Sequence, residues 1–298
     1  MPPSAPRTAA LTGGALVAFA ANSLLCRAAL APRLVDAVSF TGIRLASGAA
    51  ALAVLARLGA GGRAREPREG SWASALALVA YAYTFSLAYF RIGATIGALV
   101  LFGAVQLTMI GWGIARGERP GPFEIVGLVL AFGGLVALTL PGAHSVDVPG
   151  AVLMAVAGAS WGVYSLRGRG AKRPIMATAG NFLRCLPFSV ALGAIAVAAT
   201  AELTTRGVVL AIVSGAVTSG LGYCLWYAVL PSLGAARAAI VQLSVPVIAA
   251  VGAILLLDEP LRRHVAIGGA IILGGLALAL WQRRSPARAA AATPAVAR

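Results

Sequence analysis

Charged side chains are scarce in this chain: 11% of its 298 residues carry a charge, against roughly a quarter in soluble domains. The nine acidic residues and the two histidines all fall in loops or at the ends of hydrophobic segments. The three cysteines, Cys26, Cys185 and Cys224, lack the spacing of metal or redox motifs. No acid or histidine is therefore expected at membrane depth, where it would be needed to complete a nucleophile–base pair or a metal cluster. The sequence therefore predicts no cofactor and no metal site, and it indicates that the chain is not an enzyme.

Long hydrophobic runs fill most of the chain instead, since 59% of the residues are hydrophobic. A bilayer core about 30 Å thick requires roughly 20 apolar helical residues per crossing. Ten segments meet this requirement, and they predict an all-α polytopic membrane protein with ten transmembrane helices in a lipid bilayer. The predicted segments are 8–26, 35–56, 71–90, 93–115, 122–140, 148–165, 176–199, 206–229, 236–256 and 263–282.

The net charge of +15 is distributed unevenly between the two sides of this arrangement. Sixteen of the 24 Lys and Arg residues lie on the side of the N-terminus, six lie on the other side, and two, Arg44 and Arg184, lie inside segments. The positive-inside rule then predicts that both termini are cytoplasmic. Because the basic residues are spread over short loops, we expect no binding to nucleic acid.

The two halves of the chain repeat each other weakly, at a spacing of about 140 residues. Each half holds five predicted segments, and an odd number makes the second half enter the membrane from the opposite side. We therefore predict two inverted five-helix repeats, 1–142 and 143–282, followed by a disordered basic tail, 283–298, which has few large apolar residues to bury. The recurring residues are Arg27 with Arg167, Arg44 with Arg184, Gly127 with Gly268, and Gly133-Gly134 with Gly274-Gly275.

Matching motifs stand near the ends of the two halves. Residues 115–120 read Ala-Arg-Gly-Glu-Arg-Pro and precede the recurring glycines of the first half. Residues 257–260 read Leu-Asp-Glu-Pro and precede those of the second half, after Ser244-Val245-Pro246. With these motifs the chain resembles the EamA-type transporters of the drug/metabolite transporter superfamily over nearly its whole length. The resemblance implies an inner-membrane exporter of small metabolites, similar to amino-acid exporters of the YddG kind. The first half departs from the second in having Val105 where the second has Pro246.

Two arginines, Arg44 and Arg184, lie about nine residues into their segments, which is roughly 13 Å along a helix and close to the middle of the bilayer. Charged residues at this depth are costly, and they usually face the protein interior or a watery cavity. One interpretation is that they bind a substrate carboxylate through paired hydrogen bonds. The alternative, which their matching repeat positions favour, is that they bond carbonyls of neighbouring helices or reach an interface through their long stems.

Aromatic and polar side chains that share a helical face are candidates for lining a cavity. Tyr81 and Phe85 are four residues apart in the third segment, and Tyr223 and Trp226 are three apart in the eighth. Such rings accept an ammonium group over their faces, although an interfacial belt or tight packing gives the same pattern. The predicted cavity residues are Asn22, Arg44, Tyr81, Phe85, Trp161, Tyr164, Asn181, Arg184, Tyr223, Trp226 and Gln242.

Two prolines, Pro187 and Pro246, lie inside predicted helices. Each lacks an amide proton, and its ring clashes with the carbonyl four residues back, which belongs to Leu183 or Gln242. We predict a kink at each proline, acting either as a hinge for opening and closing or as a packing feature. In the ninth segment the kink would present the side-chain amide and the freed carbonyl of Gln242 to a cavity.

The sequence therefore predicts a transporter of small metabolites, with amino acids the favoured substrates, that works by alternating access around a central cavity between the repeats. The lack of an acid at depth favours a facilitator or exchanger over a proton-driven pump. A nucleotide-sugar or sugar-phosphate exchanger of the same superfamily is the alternative within transport, and it would require more basic residues at the cavity. An intramembrane enzyme and a structural or signalling membrane protein are alternatives from other classes.

Overall fold

The fold is helical throughout, as the hydrophobic segments predict. Ten helical spans in the described chain are long and apolar enough to cross a membrane, and extended structure there is limited to one isolated bridge, Val35 with Leu203. The prediction of an all-α polytopic membrane protein is confirmed. The computed structural model describes residues 5–59, 69–139, 147–198, 202–256 and 261–281.

We number the ten spans α1 to α10 in chain order. Their ends differ from the predicted ends by a few residues, because hydrophobicity does not mark the capping residues. Ser71, Asp147 and Thr204 cap α3, α6 and α8 by accepting a hydrogen bond from a backbone amide in the first turn. The bounds are α1 Ala5–Leu30, α2 Ala37–Gly59, α3 Trp72–Tyr89, α4 Gly97–Ala115, α5 Pro122–Thr139, α6 Val148–Gly168, α7 Pro174–Ala198, α8 Thr205–Ser232, α9 Ala235–Leu256 and α10 Arg263–Trp281.

Spans α3 and α4 belong to one helical run, Trp72–Ala115, that doubles back on itself. A straight helix of these 44 residues would be about 66 Å long, more than twice the thickness of a bilayer core. Arg167 Nε donates to Ser74 Oγ (2.9 Å) near the start of the run, and Arg169 Nη1 donates to Glu118 Oε1 (2.8 Å) just past its end. Because these arginines are two residues apart, both ends of the run lie on one face of the molecule. The run therefore spans the molecule twice, once as α3 and once as α4.

The spans run alternately between two faces, which we call the amino face and the opposite face. The amino face carries the N-terminus of α1. Span α1 is antiparallel to α8. Gly14, near the amino face, approaches Leu225, whereas Asn22, further from that face, bonds the earlier residue Ser214. Span α10 ends beside the start of α5, where Ala279 packs at Gly127. Both ends of the described chain therefore lie on the amino face.

Glycines allow the closest helix contacts. Gly127 lies against the Gly275 carbonyl, and Gly134 lies against the Gly268 carbonyl, so that a methyl group at any of the four would meet backbone atoms of the other helix. Small residues of this kind let helices pack closely in a membrane. The two contacts are related by the repeat: Gly268 lies 141 residues after Gly127, and Gly275 lies 141 residues after Gly134, so the contact of Gly127 with Gly275 corresponds to that of Gly268 with Gly134. The interface between α5 and α10 therefore has the contact pattern that a two-fold axis between the halves would produce.

Candidate functional site

A cavity of about 850 Å³ enters the molecule from the opposite face and is lined by residues of α1, α3, α4, α5, α6, α9 and α10. Its rim is basic: Arg33 and Arg262 are exposed, and Arg27 and His264 are half-buried. We call it the outer cavity. At its inner end lies a cavity of about 40 Å³, which we call the inner cavity. The two share the lining residues Ser23, Phe85, Leu101, Phe102 and Val245.

Aromatic rings from both halves of the chain enclose the inner cavity. The ring centroid of Trp161 lies 5.1 Å from that of Phe19, 5.0 Å from that of Tyr81 and 4.8 Å from that of Tyr223. Edge-on and tilted contacts of this kind are attractive and hold the rings in place. The inner cavity thus has mainly apolar walls built from rings that contact one another. Six of the predicted cavity residues line it: Asn22, Tyr81, Phe85, Trp161, Tyr223 and Gln242.

The Gln242 side chain is held at the cavity wall by its own hydrogen bonds. Its Oε1 accepts a bond from Trp161 Nε1 (2.6 Å), and its Nε2 donates to the Ala238 carbonyl (3.0 Å). The α-helix of α9 is interrupted just after Gln242 and resumes at Val245, as expected from Pro246, which cannot donate to the Gln242 carbonyl. This interruption lies where α9 borders both cavities.

A π-helical stretch, Ser214–Leu221, interrupts α8 at the same depth. It carries Ser214 and Thr218, which both donate to the Asn22 Oδ1 (2.7 and 3.3 Å). The sequence offered no clear sign of this stretch beyond its run of small residues. Such π-helical turns are frequent at functional sites, and this one aims polar side chains of α8 at α1 and α2.

Arg44 of α2 is buried beside the inner cavity, with 1% of its surface exposed. Its Nε donates to Ser219 Oγ (2.8 Å) and its Nη2 to Tyr223 Oη (2.6 Å), and its guanidinium carbon lies 5.7 Å from the centroid of the Tyr81 ring. Among the described residues, Nη1 has no hydrogen-bond partner. Arg44 does not itself line either cavity, but Tyr81 and Tyr223, which it contacts, line the inner one.

Three predicted cavity residues instead lie in a closed layer between the inner cavity and the amino face. Trp226 Nε1 donates to Ser165 Oγ (3.0 Å), and Tyr227 Oη donates to the Tyr164 carbonyl (3.1 Å). Asn181 Oδ1 accepts from the Ser71 amide (3.0 Å) at the start of α3. The placement of Tyr164, Asn181 and Trp226 in the cavity wall is therefore corrected: their helical faces point inward, but neighbouring helices cover them.

Arg184 lies closer to the amino face than its position in the sequence suggests. Its Nη1 donates to the carbonyls of Gly180 (2.8 Å) and Glu69 (3.3 Å), and its guanidinium lies over the Trp72 ring. Helical side chains point toward the N-terminus of their helix, and α7 begins at the amino face, so the long side chain reaches that interface. Pro187 is exposed within an unbroken α7, so the structure displays no helix break there.

Ion pairs join the two halves across the amino face. Glu118 accepts from Arg169 Nη1 (2.8 Å) and from the Ala235 amide at the start of α9 (2.9 Å). Glu124 pairs with Arg237 of α9 at 2.5 Å. We call these contacts the amino-face latch. They were not predicted, although Glu118 lies in the motif at 115–120 and a carboxylate near a helix start is a usual partner for its free amides.

Sequence reasoning also missed several lining residues of the inner cavity. Phe19 lies one helical turn before Asn22 and Ser23, so it shares their face of α1; this spacing was the available signal. Leu101, Phe102 and Val105 of α4 are apolar, and nothing in the sequence separates an apolar cavity wall from an apolar core. In the described part of the chain, no group of three or more His, Cys, Asp or Glu residues is arranged to hold a metal ion.

Comparisons with known proteins agree with this architecture. The model of the EamA-like transporter family matches residues 148–281. The chain is 50% identical to the uncharacterized protein PA1977 of Pseudomonas aeruginosa, over 93% of this chain and 96% of that protein. It is 27% identical to an uncharacterized transporter of Archaeoglobus fulgidus, over 68% and 73% of the two chains.

A protein chain of known crystal structure has the same fold: the TM-score is 0.78 at 18% identity, and the match covers 94% of this chain and 99% of the other. The fold, the inner cavity reached from one face and the family match lead to the same conclusion. The chain belongs to the EamA-like transporter family, and it is a membrane transporter of small molecules.

Proposed function

We propose that this protein carries neutral or zwitterionic amino acids across the inner (plasma) membrane by alternating access, without a cofactor, a metal ion or enzymatic chemistry. The observation that carries the proposal is the inner cavity. Both halves of the chain build it, it is reached from the opposite face, and a closed layer and the amino-face latch separate it from the amino face. A site with this arrangement must be reached from the second side by a change in how the halves pack.

The chemistry of the lining supports an amino acid as the solute. Six aromatic residues line the inner cavity, and their rings, including those of Phe19, Tyr81, Trp161 and Tyr223, offer apolar surface to a side chain and π faces to an ammonium group. Asn22 and Gln242 add amides that orient polar groups. The inner cavity is small, so we propose that the solute enters the outer cavity and that the rings move apart as it binds.

The proposal includes two inverted repeats, with boundaries near residue 142, and a substrate site between them. The exchange of the α5–α10 glycine contacts under the 141-residue displacement supports this relation. With both termini placed in the cytoplasm, as the distribution of basic residues suggests, the outer cavity opens to the periplasm. Fusion of a reporter to the C-terminus tests this orientation, because activity only in the periplasm would reverse it.

A sugar-phosphate or nucleotide-sugar exchanger is the second candidate, because the rim of the outer cavity carries Arg33 and Arg262. Phosphate dianions require several donors at the binding site itself. Among the described residues, Arg44 alone brings a charge to the inner cavity, through the two tyrosines. This difference favours a solute with one negative charge over a phosphate ester.

Transport into liposomes tests the proposal. Purified protein is reconstituted and screened with radiolabelled neutral amino acids, organic cations and sugar phosphates, with protein-free liposomes as the control. We expect uptake of one or more amino acids and none of the sugar phosphates. Uptake of a sugar phosphate without any amino acid would replace the proposal with the second candidate.

A further inference from the structure

Two charged side chains are buried within the described part of the protein, and they differ in their partners. Glu124, 8% exposed, pairs with Arg237. Arg44, 1% exposed, has no carboxylate within ion-pair distance among the described residues. A buried charge without a counter-ion is costly, and in membrane proteins it marks a functional site.

We infer that Arg44 makes the inner cavity selective for solutes that carry a carboxylate, and that the hydroxyl groups of Tyr223 and Tyr81 hold this group at the cavity wall. The inference rests on the proposed function, because it names the part of the solute that the proposed site recognises. It also decides between the two interpretations of the buried arginines: Arg44 serves the substrate, whereas its repeat counterpart Arg184 bonds carbonyls.

The geometry places the positive charge directly behind the cavity wall. Tyr81 and Tyr223 line the inner cavity, and Arg44 contacts the ring of the first and the hydroxyl of the second. A buried charge is screened less than one in water, so the guanidinium acts on a solute in the inner cavity through the tyrosines between them. The remaining nitrogen, Nη1, has no hydrogen-bond partner among the described residues, so it retains N–H groups that can donate to an anion.

Tyr223 is suited to pass this preference to the solute. Its hydroxyl oxygen accepts the bond from Arg44, so its own proton remains available to donate. Hydrogen bonds in a chain polarise one another, and a hydroxyl that accepts from a cation is a stronger donor. A carboxylate in the inner cavity therefore receives a strengthened hydrogen bond as well as the attraction of the guanidinium. A carboxamide of the same shape lacks the charge and adds two donors facing a positive group.

Matched acid and amide pairs test the inference by isothermal titration calorimetry on the purified full-length protein. The first pair is phenylalanine and phenylalaninamide. The second pair, 3-phenylpropanoate and 3-phenylpropanamide, removes the ammonium group, so that only the carboxylate differs. We expect the wild-type protein to bind each acid about tenfold or more tightly than its amide, as for a hydrogen bond to a charged group.

Variants connect this ratio to Arg44. In Arg44→Gln we expect the acid-to-amide ratio to fall to about one while amide binding persists, which also reports that the protein is folded. Arg44→Lys keeps the charge without the planar fork and should retain part of the preference, so the inference stays testable if Arg44→Gln does not fold. Arg184→Gln is the matched control: the same change at the repeat counterpart, away from both cavities, should leave the ratio unchanged.

Several outcomes would overturn the inference: equal binding of acid and amide by the wild type, no binding of any of the four compounds, or an unchanged ratio in Arg44→Gln. The test separates this inference from the proposed function. Binding of 3-phenylpropanoate but not phenylalanine, lost in Arg44→Gln, would support the role of Arg44 and contradict the amino-acid substrate. Transport of phenylalanine together with an unchanged acid-to-amide ratio in Arg44→Gln would support the amino-acid substrate and contradict the role of Arg44.

Discussion

The amino-face latch should set the balance between the state described here and a state open at the amino face. The perturbation is Glu124→Gln, which keeps the shape of the side chain and removes its charge. Glu124 lies 2.5 Å from Arg237, with side-chain exposures of 10% and 30%. Removing one partner of a fully buried pair costs about 3–5 kcal/mol, whereas an exposed pair contributes about 0–1 kcal/mol. For this intermediate case we expect about 2 kcal/mol, or roughly a 30-fold shift toward the open state.

Thiol labelling measures this shift. In a variant with the three native cysteines replaced, Ser165→Cys places one thiol in the closed layer, where Ser165 accepts the Trp226 bond. A membrane-impermeant maleimide applied from the amino face should modify this thiol about 30-fold faster after Glu124→Gln, because the rate follows the open population. The exchanged pair Glu124→Arg with Arg237→Glu should restore slow labelling.

The opposite face offers a matched control. Asp147 pairs with Arg91 at 2.6 Å and caps α6, and Asp147→Asn removes that charge while keeping a good capping residue. We expect this variant to leave labelling from the amino face unchanged. An unchanged rate in Glu124→Gln, in a protein that elutes and melts like the parent, would refute the role of the latch. Faster labelling in both variants would point to general loosening instead.

Three further predictions concern the site and its scaffold. Gln242→Ala should weaken substrate binding and lower the melting temperature, because it leaves the buried Trp161 N–H unpaired at a cost of about 1–3 kcal/mol. Pro246→Ala should instead slow exchange more than it weakens binding. Wild-type substrate affinity and transport rate in both variants would limit this segment to a packing role. Gly134→Ala should lower the melting temperature, since its methyl group would meet backbone atoms of α10, while the neighbouring Gly133→Ala, with open space, should not; equal melting temperatures would contradict the close contact. The hydrogen bond from Arg91 holds the pKa of Asp147 below its ordinary value of 3.8. The ion pair therefore stabilises the fold above pH 3.8, and this stabilisation is lost as the pH falls through the lower pKa that Asp147 has in the folded protein. The melting curves of wild type and Asp147→Asn should converge only at such acidic pH.

The number and approximate positions of the ten spans could be predicted from the sequence. In a bilayer every backbone amide needs an internal partner, so a long apolar run leaves only the helix as a solution. The helix break at Pro246 follows from one residue in the same way, because proline removes a specific donor. Half of the inner cavity was also predictable, since Tyr81 and Phe85 share a helical face whatever that face contacts.

Only the tertiary structure decided which inward-facing residues border open space. Tyr164 and Trp226 have the same pattern as Tyr223, yet neighbouring helices cover them, because packing between distant segments leaves no trace in local spacing. Arg44 and Arg184 occupy equivalent positions in the repeat, but their surroundings differ. Arg44 meets the π-helical turn of α8 and is buried beside the inner cavity, whereas Arg184 belongs to a helix that begins at the amino face, and its side chain bonds backbone carbonyls toward that face. The environment of a long side chain depends on which helix lies beside it, and that is a property of the assembled bundle.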